Sequence, residues 1–249
     1  MHVSERLVAL AGIEPGDRVL DVGAGQGEPA LAAARLVGPT GGVVATDLSA
    51  EMIAFGRERA AAAGLDNLEF VESDAASLDF PEGSFDAALS RWGIIFEPDA
   101  EAAMARIRTF LKPGSRMAIS SWGPPERVPM AGIPQRVLMQ RLQIPPPPQG
   151  APGPFSRPTP EALASLLEAG GFSGVEVEEA EVTFEWESPE QFTTYMKQMS
   201  PRTGRLLAAH PPDVQDATWH AITDAVLAAT GDARPVRLSN QALLAAGRA

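Results

Sequence analysis

The chain has 249 residues, 45% of them hydrophobic, and its 20 basic and 32 acidic residues give a formal net charge of −12. This length can bury one large α/β core, and the hydrophobic content is that of a globular protein rather than a disordered one. The acidic balance would repel a phosphate backbone, so we expect no nucleic acid partner.

The absence of cysteine excludes disulfides and thiol-based metal or redox chemistry. No apolar run approaches the ~20 residues that a membrane span requires, and no charged and apolar leader opens the sequence. We therefore expect a cytoplasmic protein that has no membrane association and no metal site.

The first informative stretch covers residues 19–27, which predict a buried strand, a glycine turn and the start of a helix. Val19, Leu20 and Val22 suit a parallel strand that is covered on both faces. The glycines that follow let the backbone turn tightly and approach a ligand, and the free N–H groups of the next helix favour an anionic group.

A second strand at residues 43–46 ends in Asp47, which lies 24 positions after Gly23. In a doubly wound sheet both segments face one crevice at the carboxyl ends of the strands, where an acid accepts hydrogen bonds from ribose hydroxyls. The dinucleotide-binding fingerprint requires a third glycine where this chain has Glu28.

Further strands are predicted at residues 68–72, 85–90, 117–121, 175–186 and 242–246. A helix is predicted between the N-cap Thr159 and Gly170. The apolar alternation of the sixth strand changes phase near Glu178 and Glu179, which predicts a bulge or bend there.

In this order, the motifs resemble those of the class I S-adenosylmethionine-dependent methyltransferases, in the general style of the quinone-biosynthesis C-methylases (the type 11 branch). The matching segments are residues 21–27, 47–49 with Met52, 73–75 and 111–114. The resemblance implies an α/β fold: a doubly wound, Rossmann-like sheet of seven strands, mostly parallel with an antiparallel last strand, plus a small helical cap.

The resemblance also implies the residues of the site. Those expected to bind S-adenosylmethionine are Asp21, Gly23, Ala24, Gly25, Gly27, Asp47, Leu48, Met52, Asp74, Ala75 and Ser90. Arg91 and Trp92 follow the fourth strand, where the acceptor of this family usually meets the methyl donor. The aromatic residues themselves, Trp92, Phe96, Trp122 and Phe155, indicate an apolar substrate pocket. Trp92 either stacks on a flat substrate or closes the core, and Arg91 either holds a substrate carboxylate or pairs with an acid such as Glu97.

We predict a single methyltransferase domain over residues 1–249 with two insertions. Residues 123–158 are rich in proline, which favours an extended loop with at most a short helix at 133–142; the segment is either a lid or a stiff surface connection. Residues 188–232 form a helical cap, whose apolar stripe is either a small satellite core or a wall over the substrate.

A general base is needed only if the acceptor keeps its proton at neutral pH. The candidates are His210, Tyr195 and Glu97. A surface histidine is the simpler interpretation of His210, and capping of the helix that follows is the simpler interpretation of the segment Glu97-Pro98-Asp99.

Three functions remain open at this point. The first is methyl transfer from S-adenosylmethionine, by in-line displacement, to a small hydrophobic or aromatic acceptor at carbon, oxygen or nitrogen. The second is an NAD(P)-dependent oxidoreductase, which Glu28 disfavours, and the third is a relative that binds S-adenosylmethionine without methylating. The acceptor and the oligomeric state cannot be read from the sequence.

Overall fold

The computed structural model describes residues 3–148, 150–231 and 233–249. The strands of this part of the chain are β1 Arg18–Val22, β2 Gly42–Asp47, β3 Leu68–Glu72, β4 Phe85–Arg91, β5 Leu111–Trp122, β6 Ser173–Trp186 and β7 Val236–Arg248. Its α-helices are α1 Val3–Leu10, α2 Ala30–Val37, α3 Ala50–Ala62, α4 Ala100–Phe110, α5 Pro129–Leu142, α6 Pro160–Ala169, α7 Pro189–Met199, α8 Pro201–Ala208 and α9 Pro212–Thr230.

The described strands form one seven-stranded sheet in the order β3-β2-β1-β4-β5-β7-β6. Strands β1 to β5 pair in parallel, and β7 runs antiparallel to β5. The predicted fold class is confirmed. Because the strand order reverses between β1 and β4, the crevice for a ligand is expected at their carboxyl ends.

Local sequence signals explain several of these elements. Thr159 begins α6 by accepting a hydrogen bond from the Ala162 N–H at 3.2 Å, with Pro160 at the first helical position. In β6 the half-buried positions change phase at Glu178, as predicted. There the Glu178 carboxylate accepts two hydrogen bonds of 2.6 Å from Arg6 of α1.

The chain divides into two compact units, and the first comprises Met1–Gly123, Gln149–Ala180 and Ala242–Ala249. Its core lies between the sheet and its helices and contains large, fully buried side chains such as Leu20, Phe85, Met104 and Met117. All the segments that resemble methyltransferase motifs belong to this unit.

The second unit comprises Pro124–Pro148 and Glu181–Gln241 and has a core of its own, built around Trp186, Phe192, Ile222 and Val226. It combines most of the predicted insertions 123–158 and 188–232, whose residues 149 and 232 lie outside the described residues. The proline-rich insertion differs from expectation: it contains the 14-residue helix α5, because Ile133 and Val137 are buried in this core. Residues 150–158 belong to the first unit.

None of the helices in the described part of the chain combines the length and the apolar character needed to cross a bilayer. No cluster of three or more histidine, cysteine, aspartate or glutamate side chains suited to hold a metal ion occurs among the described residues.

Candidate functional site

A glycine loop, residues 23–29, connects β1 to α2 at the carboxyl end of the sheet. Gly23, Gly25 and Gly27 all have positive φ angles, of 70°, 55° and 95°, which residues with a side chain rarely adopt. A Cβ atom at Gly23 would lie 2.7 Å from the Cα of Gly93, whereas one at Gly25 would meet nothing within 4 Å. The loop is therefore packed at Gly23 and open at Gly25, where a ligand has room.

Asp47 ends β2 beside this loop. Its Oδ2 accepts a hydrogen bond from the Gly25 N–H at 2.8 Å, and its Oδ1 accepts one from the Ser49 N–H at 2.9 Å. The next residue, Leu48, is 72% exposed, and Met52 lies in the first turn of α3. An acid beside an exposed apolar side chain suits a ribose joined to a flat base.

Asp21 is fully buried in β1, under the glycine loop. Its Oδ2 accepts a hydrogen bond from the Ala30 N–H at 2.9 Å, while its Oδ1 has no hydrogen-bond partner among the described residues. Burial raises the pKa of the Asp21 carboxyl to about 7, although the Ala30 N–H and the positive charge of Arg91 lower it. A cationic group on a ligand would favour the ionised form.

Asp74 follows β3 and caps the short turn Ala75–Ser77. Asp74 Oδ1 accepts a hydrogen bond from the Ala76 N–H at 3.0 Å. Burial raises the pKa of the Glu97 carboxyl, and the charge of Asp74 and a hydrogen bond between the two carboxyl groups raise it further. The helix α4 is instead capped by Asp99, which accepts from the Ala102 N–H, so Glu97 is not needed as a cap.

Trp92 follows β4 and stacks on Trp122, the last residue of β5. Their ring centroids are 4.2 Å apart and their planes differ by 9°. Trp92 has a φ of 55°, which is strained for a bulky residue, and its N–H donates to Ser120 Oγ at 3.1 Å. Its indole Nε1–H is buried without a partner among the described residues.

Arg91, the last residue of β4, extends toward α1. Its Nη1 donates to the buried Ser4 Oγ at 3.0 Å, and its guanidinium carbon lies 5.1 Å from the Trp92 ring centroid. Its charge also acts on Asp21, as the pKa of that acid indicates. Arg91 thus connects the first helix to the base of the glycine loop.

Two further aromatic side chains belong to the same unit. Phe96 lies in the turn Ile94–Phe96 after β4 and is 49% exposed. Phe155 is half-buried in residues 150–158, which are fixed to this turn because the Gly153 N–H and the Ser156 hydroxyl both donate to the Ile95 carbonyl. This part of the predicted lid is held against the turn.

Ser90 has a different environment from the one expected of a cofactor ligand. Its hydroxyl is fully buried, donates to the Val22 carbonyl at 2.7 Å and accepts from the Ile94 N–H at 3.0 Å. It thereby fixes the turn after β4 to β1. Sequence reasoning did not single out Gly93, whose signal was a glycine two residues after the end of β4. A Cβ there would lie 2.7 Å from the Val22 carbonyl oxygen.

The other two candidate bases lie in the second unit. The ring of Tyr195 in α7 is 5.6 Å from that of Trp186 and packs against the core of that unit. His210 follows α8, and its N–H donates to the Leu207 carbonyl at 2.9 Å. Of the three candidates, only Glu97 lies in the unit that contains the glycine loop.

Comparison with known proteins agrees with this geometry. Residues 19–114 match a family model described as a methyltransferase domain. This matched segment, which is less than half of the chain, is similar to a methyltransferase domain and contains the glycine loop, Asp47, Asp74 and Trp92. Methyltransferase domains of this fold use S-adenosylmethionine, so the match favours this cofactor over a nicotinamide dinucleotide.

The similar curated proteins include the ubiquinone/menaquinone biosynthesis C-methyltransferase UbiE of Pseudomonas putida. The two are 39% identical over 119 residues, which cover 47% of this chain and 46% of that protein. The matched region thus spans about half the length of that relative.

Solved structures extend the likeness of fold to the whole chain. The YcgJ protein of Bacillus subtilis has a TM-score of 0.63 at 19% identity, with coverage of 100% of this chain and 98% of that one. The [4+2]-cyclase SpnF has a TM-score of 0.58 at 21% identity and covers 99% and 79% respectively. These likenesses concern the fold alone.

Proposed function

We propose that the protein transfers a methyl group from S-adenosylmethionine to a small hydroxylated aromatic acceptor, with a ring carbon as the preferred site. One observation carries the proposal. The glycine loop, which is hydrogen-bonded to Asp47, belongs to the same unit as three aromatic residues at the carboxyl ends of β4 and β5, namely Trp92, Trp122 and Phe96. A cofactor crevice and an aromatic surface at one edge of the sheet suit a flat apolar acceptor.

The residues of the crevice fit the cofactor. The open space at Gly25 accommodates a ligand against the loop, and the Asp47 carboxylate would accept hydrogen bonds from ribose hydroxyls. Leu48 and Met52 would pack against the adenine, with Asp74 near its amino group. The unpartnered Oδ1 of the buried Asp21 marks a place for a positive group.

S-adenosylmethionine, when bound, supplies a methyl group on a positively charged sulfur. In the transfer the carbon–sulfur bond breaks and its electron pair stays on sulfur, a new bond joins the methyl carbon to the acceptor, and the acceptor loses a proton. The protein has to align the acceptor and exclude water. Such alignment supplies a large part of the rate enhancement over the uncatalysed reaction.

Two observations support a hydroxylated aromatic acceptor. The aromatic side chains offer flat apolar contacts, and the Trp92 Nε1–H is a buried donor that an acceptor oxygen would satisfy. The Pseudomonas relative is named as a C-methyltransferase of ubiquinone and menaquinone biosynthesis, which favours a ring carbon over oxygen or nitrogen. Glu97 is the base we assign for the acceptor proton, because it directly follows the turn that carries Phe96, lies in the unit of the glycine loop and has a raised pKa.

The test begins with the purified chain and S-adenosylhomocysteine, the methyl-free product form of the cofactor. Calorimetric titration should show binding, and Asp47→Ala should weaken it about a hundredfold, because a charged hydrogen-bond acceptor is lost. Unchanged affinity in that variant would contradict the placement of the ribose.

The acceptor is tested with radiolabelled S-adenosylmethionine and matched aromatic compounds: a hydroquinone, a phenol, an aniline and an unsubstituted hydrocarbon. Label should enter the hydroquinone or phenol at carbon and leave the hydrocarbon untouched. Tight binding of the cofactor with no label in any acceptor would instead favour a relative that binds S-adenosylmethionine without methylating.

A further inference from the structure

We propose that Arg59, a residue of α3 outside the cofactor motifs, is a positioning residue that holds the glycine loop in the conformation that binds the cofactor. The inference rests on the proposed function, since the loop is taken to bind S-adenosylmethionine. It assigns to α3 a second task, because the same helix carries Met52 at its other end.

Arg59 contacts the loop at two successive points. Its Nη1 donates to the Gln26 carbonyl at 2.8 Å, and its Nη2 lies 3.3 Å from Glu28 Oε1. Glu28 stands where a dinucleotide-binding loop has its third glycine, and its side chain is only 18% exposed. A planar guanidinium spans the carbonyl and the carboxylate at once, which an ammonium group does not do.

The glycine loop needs such support because its own residues resist ordering. Three glycines in a seven-residue segment lose more conformational freedom on folding than any other residues would. The inner side of the loop is fixed, since the Ala24 N–H donates to the Thr46 carbonyl and the Gly25 N–H donates to Asp47. On its outer side, Gln26 and Glu28 are held by Arg59.

The helix that carries Arg59 is itself firmly placed. A Cβ at Gly56 would lie 2.4 Å from the Phe70 ring, so α3 packs closely on β3 at this point. The tip of the same ring lies 3.4 Å from the Cβ position of Gly27. Gly56 and Arg59 are three residues apart and therefore lie on one face of α3, which faces the loop.

Loss of Arg59 should therefore weaken cofactor binding without unfolding the protein. If the loop of an Arg59 variant occupies its binding conformation for only about a tenth of the time, the apparent Kd for the cofactor rises about tenfold. We expect no larger effect, because the Arg59 side chain is 45% exposed and its ion pair is screened by water.

Arg57 provides a matched control on the same helix. It is also an exposed arginine that donates to a backbone carbonyl at 2.8 Å, but that carbonyl belongs to Phe70 of β3 and not to the loop. Arg59→Met, Arg59→Lys and Arg57→Met would be compared with the parent by titration with S-adenosylhomocysteine. Amide hydrogen exchange of residues 24–28 would be measured in the ligand-free proteins.

We expect Arg59→Met to raise the Kd about tenfold and to speed exchange in the loop, Arg59→Lys to restore part of the affinity, and Arg57→Met to leave both unchanged. Parent-like binding by Arg59→Met, or equal weakening by Arg57→Met, would overturn the assignment. A folded parent that does not bind S-adenosylhomocysteine would overturn the proposed function itself, an outcome that the parent titration alone reveals.

Discussion

At the residue scale, Asp21 has the most unusual environment of the site. A buried carboxyl with one unpartnered oxygen favours its neutral form, so its pKa in the folded protein is about 7 instead of the ordinary acidic value. The folded state therefore binds the proton more tightly than the unfolded state. The contribution of this group to stability is complete below its ordinary pKa and is lost as the pH rises toward 7.

Asp21→Asn should remove this dependence. The free energy of unfolding of the parent, relative to the variant, should fall between about pH 4 and pH 7 and then level off. Chemical denaturation of both proteins across this range measures the difference. Parallel profiles would mean that Asp21 is ionised throughout, and the argument from burial would be wrong.

Glu97 supports a second prediction, which concerns turnover. Glu97→Gln should lower kcat about a hundredfold on a phenolic or hydroquinone acceptor and should abolish the fall in rate at acidic pH, because an amide cannot accept the proton. Asp99→Asn is the control, since Asp99 caps α4 two residues away. A variant of Glu97 that retains the acidic limb of the profile would exclude it as the base.

At the scale of the element, two glycines of the same loop have different roles: Gly23 serves packing and Gly25 serves ligand binding. Gly25→Ala should cost about 1–2 kcal/mol of stability for its positive φ, yet its methyl group would occupy the open space and lower the affinity for S-adenosylhomocysteine. Gly23→Ala should destabilise the fold more, because its methyl group would collide with the backbone of Gly93. Thermal unfolding and titration of the two variants distinguish these effects. Equal stability of the two variants would contradict the close approach of the glycine loop to Gly93 in the turn after β4.

The same elements show what a sequence can and cannot predict. Strand β1, the glycine loop and Thr159 at the start of α6 were predicted because their signals are local: apolar runs, glycines and a capping hydroxyl. Helix α5 begins four residues before the predicted segment 133–142, with Pro129 in its first turn, and it continues through Pro134 because Ile133 and Val137 are buried in the core of the second unit. The contacts of Arg59 with the loop lie 31 to 33 residues away along the chain. No local pattern indicates them.

For the whole molecule, we expect mutations in the two hydrophobic cores to affect the local stability of different units. Phe192 is fully buried in the second core and packs edge-to-face on Trp186 at 4.9 Å, while Phe85 is fully buried in the first and packs likewise against Phe80 at 5.2 Å. Truncation of either to alanine should cost about 3–5 kcal/mol, because it removes apolar contacts and leaves a cavity.

If each core stabilises its own unit, Phe192→Ala should speed amide exchange in α7 and α9 and leave exchange in β1, β2 and β4 near that of the parent. Phe85→Ala should do the reverse, because local openings report the contacts of their own unit. Exchange measured peptide by peptide in both variants decides the matter. If both variants accelerate exchange equally in α9 and β1, the chain unfolds as one cooperative body, and mutations in the second unit would weaken the cofactor site by unfolding it.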